Sequence, residues 1–160
     1  MYILGVDETT VYTSTDTQFP QDLGTIGFKG NAALGYQFVR ANGALVIGDV
    51  VGIDENYDAT QVTTTTSAPA AGQGLPVGVV VATLADNEYG WVQVKGLVGS
   101  INVATSCAVH TELNSTATGG RIDDDATAGA EVIAGLTTTA AESSNLAAGV
   151  ANFPYISRTL

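Results

Sequence analysis

Residues 75–98 hold two apolar, β-branched runs, LPVGVVVATL (75–84) and YGWVQVKGLV (89–98), with Asp86-Asn87-Glu88 between them. Branching at Cβ stiffens a side chain and suits it to a pleated, half-buried strand. Asp and Asn favour tight turns, so the two runs are expected to fold back on each other as an antiparallel hairpin. Pro76 stands at the head of the first run, where a missing backbone donor is tolerated. Strand alternation puts Val92 and Val94 on one face and Tyr89, Trp91, Gln93 and Lys95 on the other. With the valines in a core, Tyr89 and Trp91 share an outer face or a barrel mouth. That makes them candidate interface aromatics.

The same texture runs through most of the chain. It has 21 threonines and 19 glycines, and the glycines fall between Val/Ile/Thr-rich runs. Short strands with turn residues every ten or so positions indicate a sandwich or a small barrel. Further strands are expected at Leu34–Arg40, on both sides of Gly48-Asp49 within Ala44–Ile53, and at Thr60–Thr66. Others are expected at Ile101–Ala104, Ala108–Leu113, Gly120–Ile122, Glu131–Thr138 and Gly149–Asn152. Ser67–Gly74 and Ala140–Ala148 read as connections, and Asp123-Asp124-Asp125 as a hairpin tip. The fold class is therefore all-β: a small antiparallel barrel or sandwich, with jelly roll and closed barrel both open.

Residues 1–29 differ from the body, residues 30–160. They carry Asp7, Glu8, Asp16 and Asp22, a Phe19-Pro20 break, and isolated apolar residues. Such a segment reads as an extended N-terminal arm that orders on a partner. Tyr2, Ile3, Phe19, Leu23 and Phe28 are its candidate anchors.

The formal charge is -11, from 16 acidic and 5 basic residues, and the basic ones are scattered. Nucleic-acid binding needs clustered Lys and Arg to displace counterions, and an anionic membrane repels an acidic surface. Neither partner is expected. The N-terminus lacks a basic region followed by a long apolar stretch, so no secretory signal is read. Synthesis in a cytoplasm is expected, with release by lysis or assembly.

Catalytic vocabulary is sparse. The one histidine, His110, lies in an expected strand beside Glu112, which puts Cys107 on the opposite face from both. Asp54-Glu55-Asn56-Tyr57-Asp58 has the opening spacing of a Ca²⁺ loop, but Ala59 and Thr65 stand where that loop needs Gly and Glu. It reads as a polar hairpin turn. One Cys and one His exclude a zinc site of the usual ligand set. The chain reads as non-enzymatic, with no cofactor.

Several motifs in order resemble the bacteriophage head decoration, or capsid cement, family. They are Gly48-Asp49-Val50-Val51 with Ile53-Asp54; Gly74-Leu75-Pro76-Val77-Gly78-Val79-Val80; and Asp86 through Gly96 (DNEYGWVQVKG). Ala117-Thr118-Gly119-Gly120 through Asp124, and Phe153-Pro154-Tyr155-Ile156, follow them. Tyr89–Val94 is the most specific, while Arg121 departs from the small or apolar residue expected there. The resemblance implies a tulip-like or small-barrel body, often a homotrimer, on the outer surface of the virion capsid. Its partner would be the major capsid protein, and its role to stabilise the expanded head against internal DNA pressure. Residues 1–28 would then lie along the capsid, and their deletion would leave a folded body that fails to bind. A carbohydrate- or receptor-binding module of a virion or cell-surface protein is the alternative, using Tyr89 and Trp91.

Overall fold

In a computed structural model, which describes residues 2–16, 19 and 21–160 and only the backbone of residues 2–4, the two runs pair as their alternation requires. Val79 faces Gln93 and Val80 faces Val92 across an antiparallel ladder. Asn87 takes a left-handed φ of 64°, and the Glu88 amide closes the turn on the Ala85 carbonyl at 3.1 Å. The Glu88 carboxylate accepts the Ala85 amide at 2.7 Å and holds the turn from the other side.

The described residues form eleven strands and no helix: β1 (Tyr2–Leu4), β2 (Ile26–Lys29), β3 (Leu34–Ala41), β4 (Val50–Ile53), β5 (Asp58–Gln61), β6 (Val77–Val80), β7 (Tyr89–Asn102), β8 (Leu113–Ser115), β9 (Ile122–Asp123), β10 (Glu131–Thr138) and β11 (Leu146–Thr159). The all-β expectation holds. The sheet is mixed rather than purely antiparallel, because β1–β2 and β3–β5 pair in parallel.

Two closures organise the molecule. The order β3-β5-β4-β6-β7 returns on itself because β7 also pairs with β3, so five strands make a closed ring. Val39, Ala41, Leu45, Val51, Ile53, Ala59, Val80, Leu84 and Val92 fill it. The far half of β7 continues into β11, β10, β8 and β9, and a bridge from Ile122 back to Val103 draws that second sheet round. Ile101, Leu113, Ile122, Ile133, Leu136 and Ile156 lie in its core.

β4 and β6 form a wall between the two cores. Val51 and Val80 point into the ring, while Val50 and Val79 point into the second core. A strand wetted on neither face needs a continuous apolar run, which is what VVGI and VGVV supply. Gly78 is required there, since a Cβ would lie 2.5 Å from Val92 Cγ2. Asp49, 1% exposed, pins the wall. Its carboxylate accepts the Val46 amide (3.0 Å), Gln61 Nε2 (2.7 Å) and Asn102 Nδ2 (3.2 Å). A buried carboxylate is tolerable only when so satisfied.

Three local expectations are corrected. Thr60–Thr66 is not one strand: β5 ends at Gln61, because Thr63 Oγ1 captures the amides of Thr65 and Thr66 and turns the chain. Ala108–Leu113 is not a strand either. His110 has φ 59°, and β8 begins only at Leu113, so His110 and Glu112 do not share a strand face. Asp123-Asp124-Asp125 is not a hairpin tip: Asp123 ends β9, and Asp124 and Asp125 begin the connection from β9 to β10.

The free-standing arm is also not what the described residues show. β1 pairs with β2, and β2 pairs with β3 as the next strand of the sheet. Tyr12 exchanges backbone hydrogen bonds with Tyr89 at 2.9 and 2.8 Å. Val6, Tyr36, Phe38 and Trp91 form a third buried cluster between this segment and the outer wall of the ring, with Leu23 packed against it. A ring of five strands has an outside, and large aromatics on that outside need a cover.

Candidate functional site

Trp91 is 3% exposed, so the expectation of an outward-facing tryptophan is corrected. It does stand outside the ring, as alternation requires, but it packs on Phe38 with ring centroids 5.2 Å apart and lies under Gly27 and Val6. Tyr89 is half-buried, its ring 4.4 Å from that of Phe19. Phe19 also meets Tyr12 and Phe38. Phe28 lies half-buried under Lys95, whose Nζ sits 5.6 Å from the ring centroid. Phe19, Leu23 and Phe28 are thus turned onto their own body. The side chains of Tyr2 and Ile3 lie outside the described residues.

The exposed apolar surface is elsewhere, on the outer face of β7 and β11. Leu146, Val150, Phe153 and Tyr155 project outward from β11, and Leu97 (72% exposed) faces Val150 from β7. Alternation builds this row: Ala147, Gly149 and Ala151 turn inward while residues 146, 148 and 150 turn out. A bulge opposite Gly135 then resets it. Phe153 sits there at φ 47°, which is costly for a bulky residue. Gly135 has φ 80°, and a Cβ on it would lie 2.9 Å from the Asn152 carbonyl oxygen. The bulge leaves Phe153 and Tyr155 half-exposed beside a groove of about 290 Å³ that Gln37, Pro76 and Val94 complete. From Leu146 to Tyr155 the row runs about 30 Å at a strand's rise per residue.

Charge marks the same face. Residues 89–111 and 143–160 contain no Asp or Glu, although the chain has sixteen. Those two acid-free stretches are the readable signal for this surface, together with the period-two exposure of residues 146–150. What sequence reading missed was that they become neighbours.

The other candidates resolve as follows. Asp54 Oδ1 accepts the amides of Asn56 and Asp58, both at 2.9 Å, as a hairpin turn does. The Asp58 carboxylate is paired with Arg40. His110 is exposed, and Glu112 pairs with Arg158 at 2.8 Å. Cys107 is 4% exposed and belongs to the second core. Burial, with Asp124 and Asp123 nearby, pushes its thiol up to about 11. Native protein at pH 8 is expected to resist thiol-specific labelling, with reaction appearing only on unfolding in urea; rapid native labelling would show the thiol to be open and activated.

No family model matches the chain, and no curated protein matches it.

Proposed function

We propose that this protein is a bacteriophage capsid decoration protein that binds the outer surface of the head and cements it. The observation that carries the reading is the acid-free apolar row of β7 and β11 on an otherwise strongly acidic body. Such a surface supplies apolar area for a partner without importing charge repulsion, while the remaining acidic surface keeps the protein soluble and off nucleic acid. The resemblance supplies the identity of the partner, a major capsid protein. Its motif residues also occupy structurally demanding positions. Gly48-Asp49 forms the pinned turn, Gly78 the tight contact within the wall, and Tyr89–Gly96 the strand shared by ring and second sheet.

The mechanism is mechanical. A head that expands during packaging separates its coat subunits, and a rigid body seated across a junction ties them together. Many modest contacts on a symmetric shell act together through avidity. A homotrimer would multiply that effect further. The test is sedimentation of the purified protein with expanded and unexpanded shells of the cognate coat protein. Co-sedimentation with expanded shells, saturating at a fixed ratio to coat subunits, is expected. Free protein remaining at the top of the gradient at micromolar concentrations would sink the reading.

The groove beside Phe153 and Tyr155 favours a second reading, a glycan-binding module, because it offers exposed aromatic faces that Trp91 does not. Glycan-array binding that is lost on Tyr155→Ala, with no shell binding, would select it.

A further inference from the structure

A cavity of about 250 Å³ opens on the outer wall of the ring, where β4 and β5 meet the loop that follows β5. Strand alternation sets its shape. Val51, Ile53 and Ala59 point into the ring, so Gly52, Asp54, Asp58 and Thr60 face the other way. Gly52 lies opposite Thr60, and one step along the ladder the Asp54 amide donates to the Asp58 carbonyl at 3.1 Å. The floor is hydrocarbon: Val62 and Ile156 are buried, and half-buried Leu75 closes one side. The rim is oxygen, from the half-buried side chains of Asp54, Asp58 and Thr60.

Gly52 keeps that floor open. It stands within a buried strand, where glycine is weaker than alanine. Neither common reason for glycine applies to it. Its φ is not left-handed, and a Cβ built on it would approach nothing closer than Ile156 Cδ1 at 3.4 Å, an ordinary contact. What a side chain there would take is the space itself. The rim, in turn, carries a charge without a partner. Carboxylates directly opposite on a ladder repel, and Arg40 relieves this by donating to both oxygens of Asp58. Asp54 Oδ1 accepts the amides of Asn56 and Asp58. Among the described residues its Oδ2 accepts no hydrogen bond, and Asp54 joins no ion pair. Thr60 Oγ1 accepts Asn42 Nδ2 at 3.0 Å and keeps a second lone pair.

We propose that this cavity binds a short aliphatic ammonium, its hydrocarbon end on Gly52, Val62 and Ile156 and its ammonium at Asp54 and Thr60. An ammonium brings donors and one positive charge to a rim that offers acceptors and one unpaired negative charge. A bare metal ion would leave the hydrocarbon floor unused. An anion or a free amino acid would set its own carboxylate against Asp54 and Asp58. A lysine side chain would enter tip first and press its charge onto hydrocarbon. The chemistry has two sources: a free alkylamine, or the amino-terminal residue of a protein whose first side chain is apolar. The cavity shares no lining residue with the groove beside Phe153 and Tyr155, so the site stands independently of the shell-docking reading.

The test is titration of the full chain, read by methyl NMR at Val62, Leu75 and Ile156. The probes are 3-methylbutylamine, its neutral analogue 3-methylbutan-1-ol, and leucyl-glycyl-glycine amide with a free or an acetylated N-terminus. The amine is expected to shift these methyls saturably, with a Kd on the order of a millimolar for so few atoms. The alcohol is expected to bind at least about tenfold more weakly. Binding by the free peptide but not the acetylated one assigns a protein N-terminus as the source, and binding by the amine alone assigns a free amine. Gly52→Ala is expected to fold at least as stably as the parent and to weaken amine binding about tenfold, because the added methyl fills the floor. Asp54→Asn, which keeps the turn's acceptor, is expected to bring the Kd of the amine to that of the alcohol. No methyl shifts with either the amine or the free peptide, equal affinity for amine and alcohol, or an unchanged Kd in Gly52→Ala would each overturn the assignment.

Discussion

Phe38→Ala is expected to lower stability by about 3–5 kcal/mol, the range for truncating a buried phenylalanine. For a chain of this size that is roughly a 9–15 °C fall in Tm, at about 3 °C per kcal/mol. Phe38 is fully buried between the ring and the N-terminal segment, and its ring meets Tyr12, Phe19 and Trp91. Removing it leaves a hole that neither side can close, because Val39 and Ala41 beside it are held in the ring's own core. The variant is also expected to release the segment, read as new protease cleavage between residues 5 and 25. An unchanged melt would mean that residues 2–29 contribute nothing to the folded body and serve only a partner. The same packing revises the truncation expected from sequence. Deleting residues 1–28 uncovers Tyr36, Phe38 and Trp91, so it is expected to give an aggregating product rather than a well-behaved, non-binding body.

The double substitution Leu97→Asp with Val150→Asp is expected to weaken shell binding at least about 100-fold, equivalent to about 2.7 kcal/mol. The two side chains face each other across β7 and β11 and are exposed, so two carboxylates there remain hydrated in the free protein. At an interface they would be stripped of water without a partner, which is the costly case. Tm is expected to fall by only a few degrees, since like charges directly opposite on a sheet cost about 1 kcal/mol or less. Full binding by this variant would remove the β7–β11 face from the docking reading, and a collapse in Tm would show that the face is structural.

How much of this was legible beforehand depended on whether a residue's environment is local. The β6–β7 hairpin was readable because alternation and its turn residues lie within one stretch. Glu131–Thr138 was readable as a strand for the same reason, and it matches β10. Residues 63–66 were misread because threonine serves equally as a strand former and as a turn builder. Only the neighbouring hydroxyls decide which, and Thr63 and Thr66 bond each other's backbone amides. His110 was misplaced because nothing in VHTEL announces a left-handed residue.

The candidate surface was legible only in part. Two acid-free stretches could be seen, but not that β7 and β11 lie side by side, with their Leu97 and Val150 some fifty residues apart in sequence. Trp91 shows the converse. Its position outside the ring followed from period two, but its burial did not.

The amino-acid sequence by itself determined that this chain is β, where its principal hairpin turns, and which way the residues of that hairpin alternate. Those properties arise from Cβ branching, turn preferences and the pleat, all of which act within a few residues. The tertiary structure alone decided that β3 closes on β7, that the wall of β4 and β6 is dry on both faces, and that Val6, Tyr12 and Leu23 pack into the cluster that buries Trp91 instead of reaching away. A strand has two faces, and which one meets water is settled by a partner that can lie anywhere along the chain.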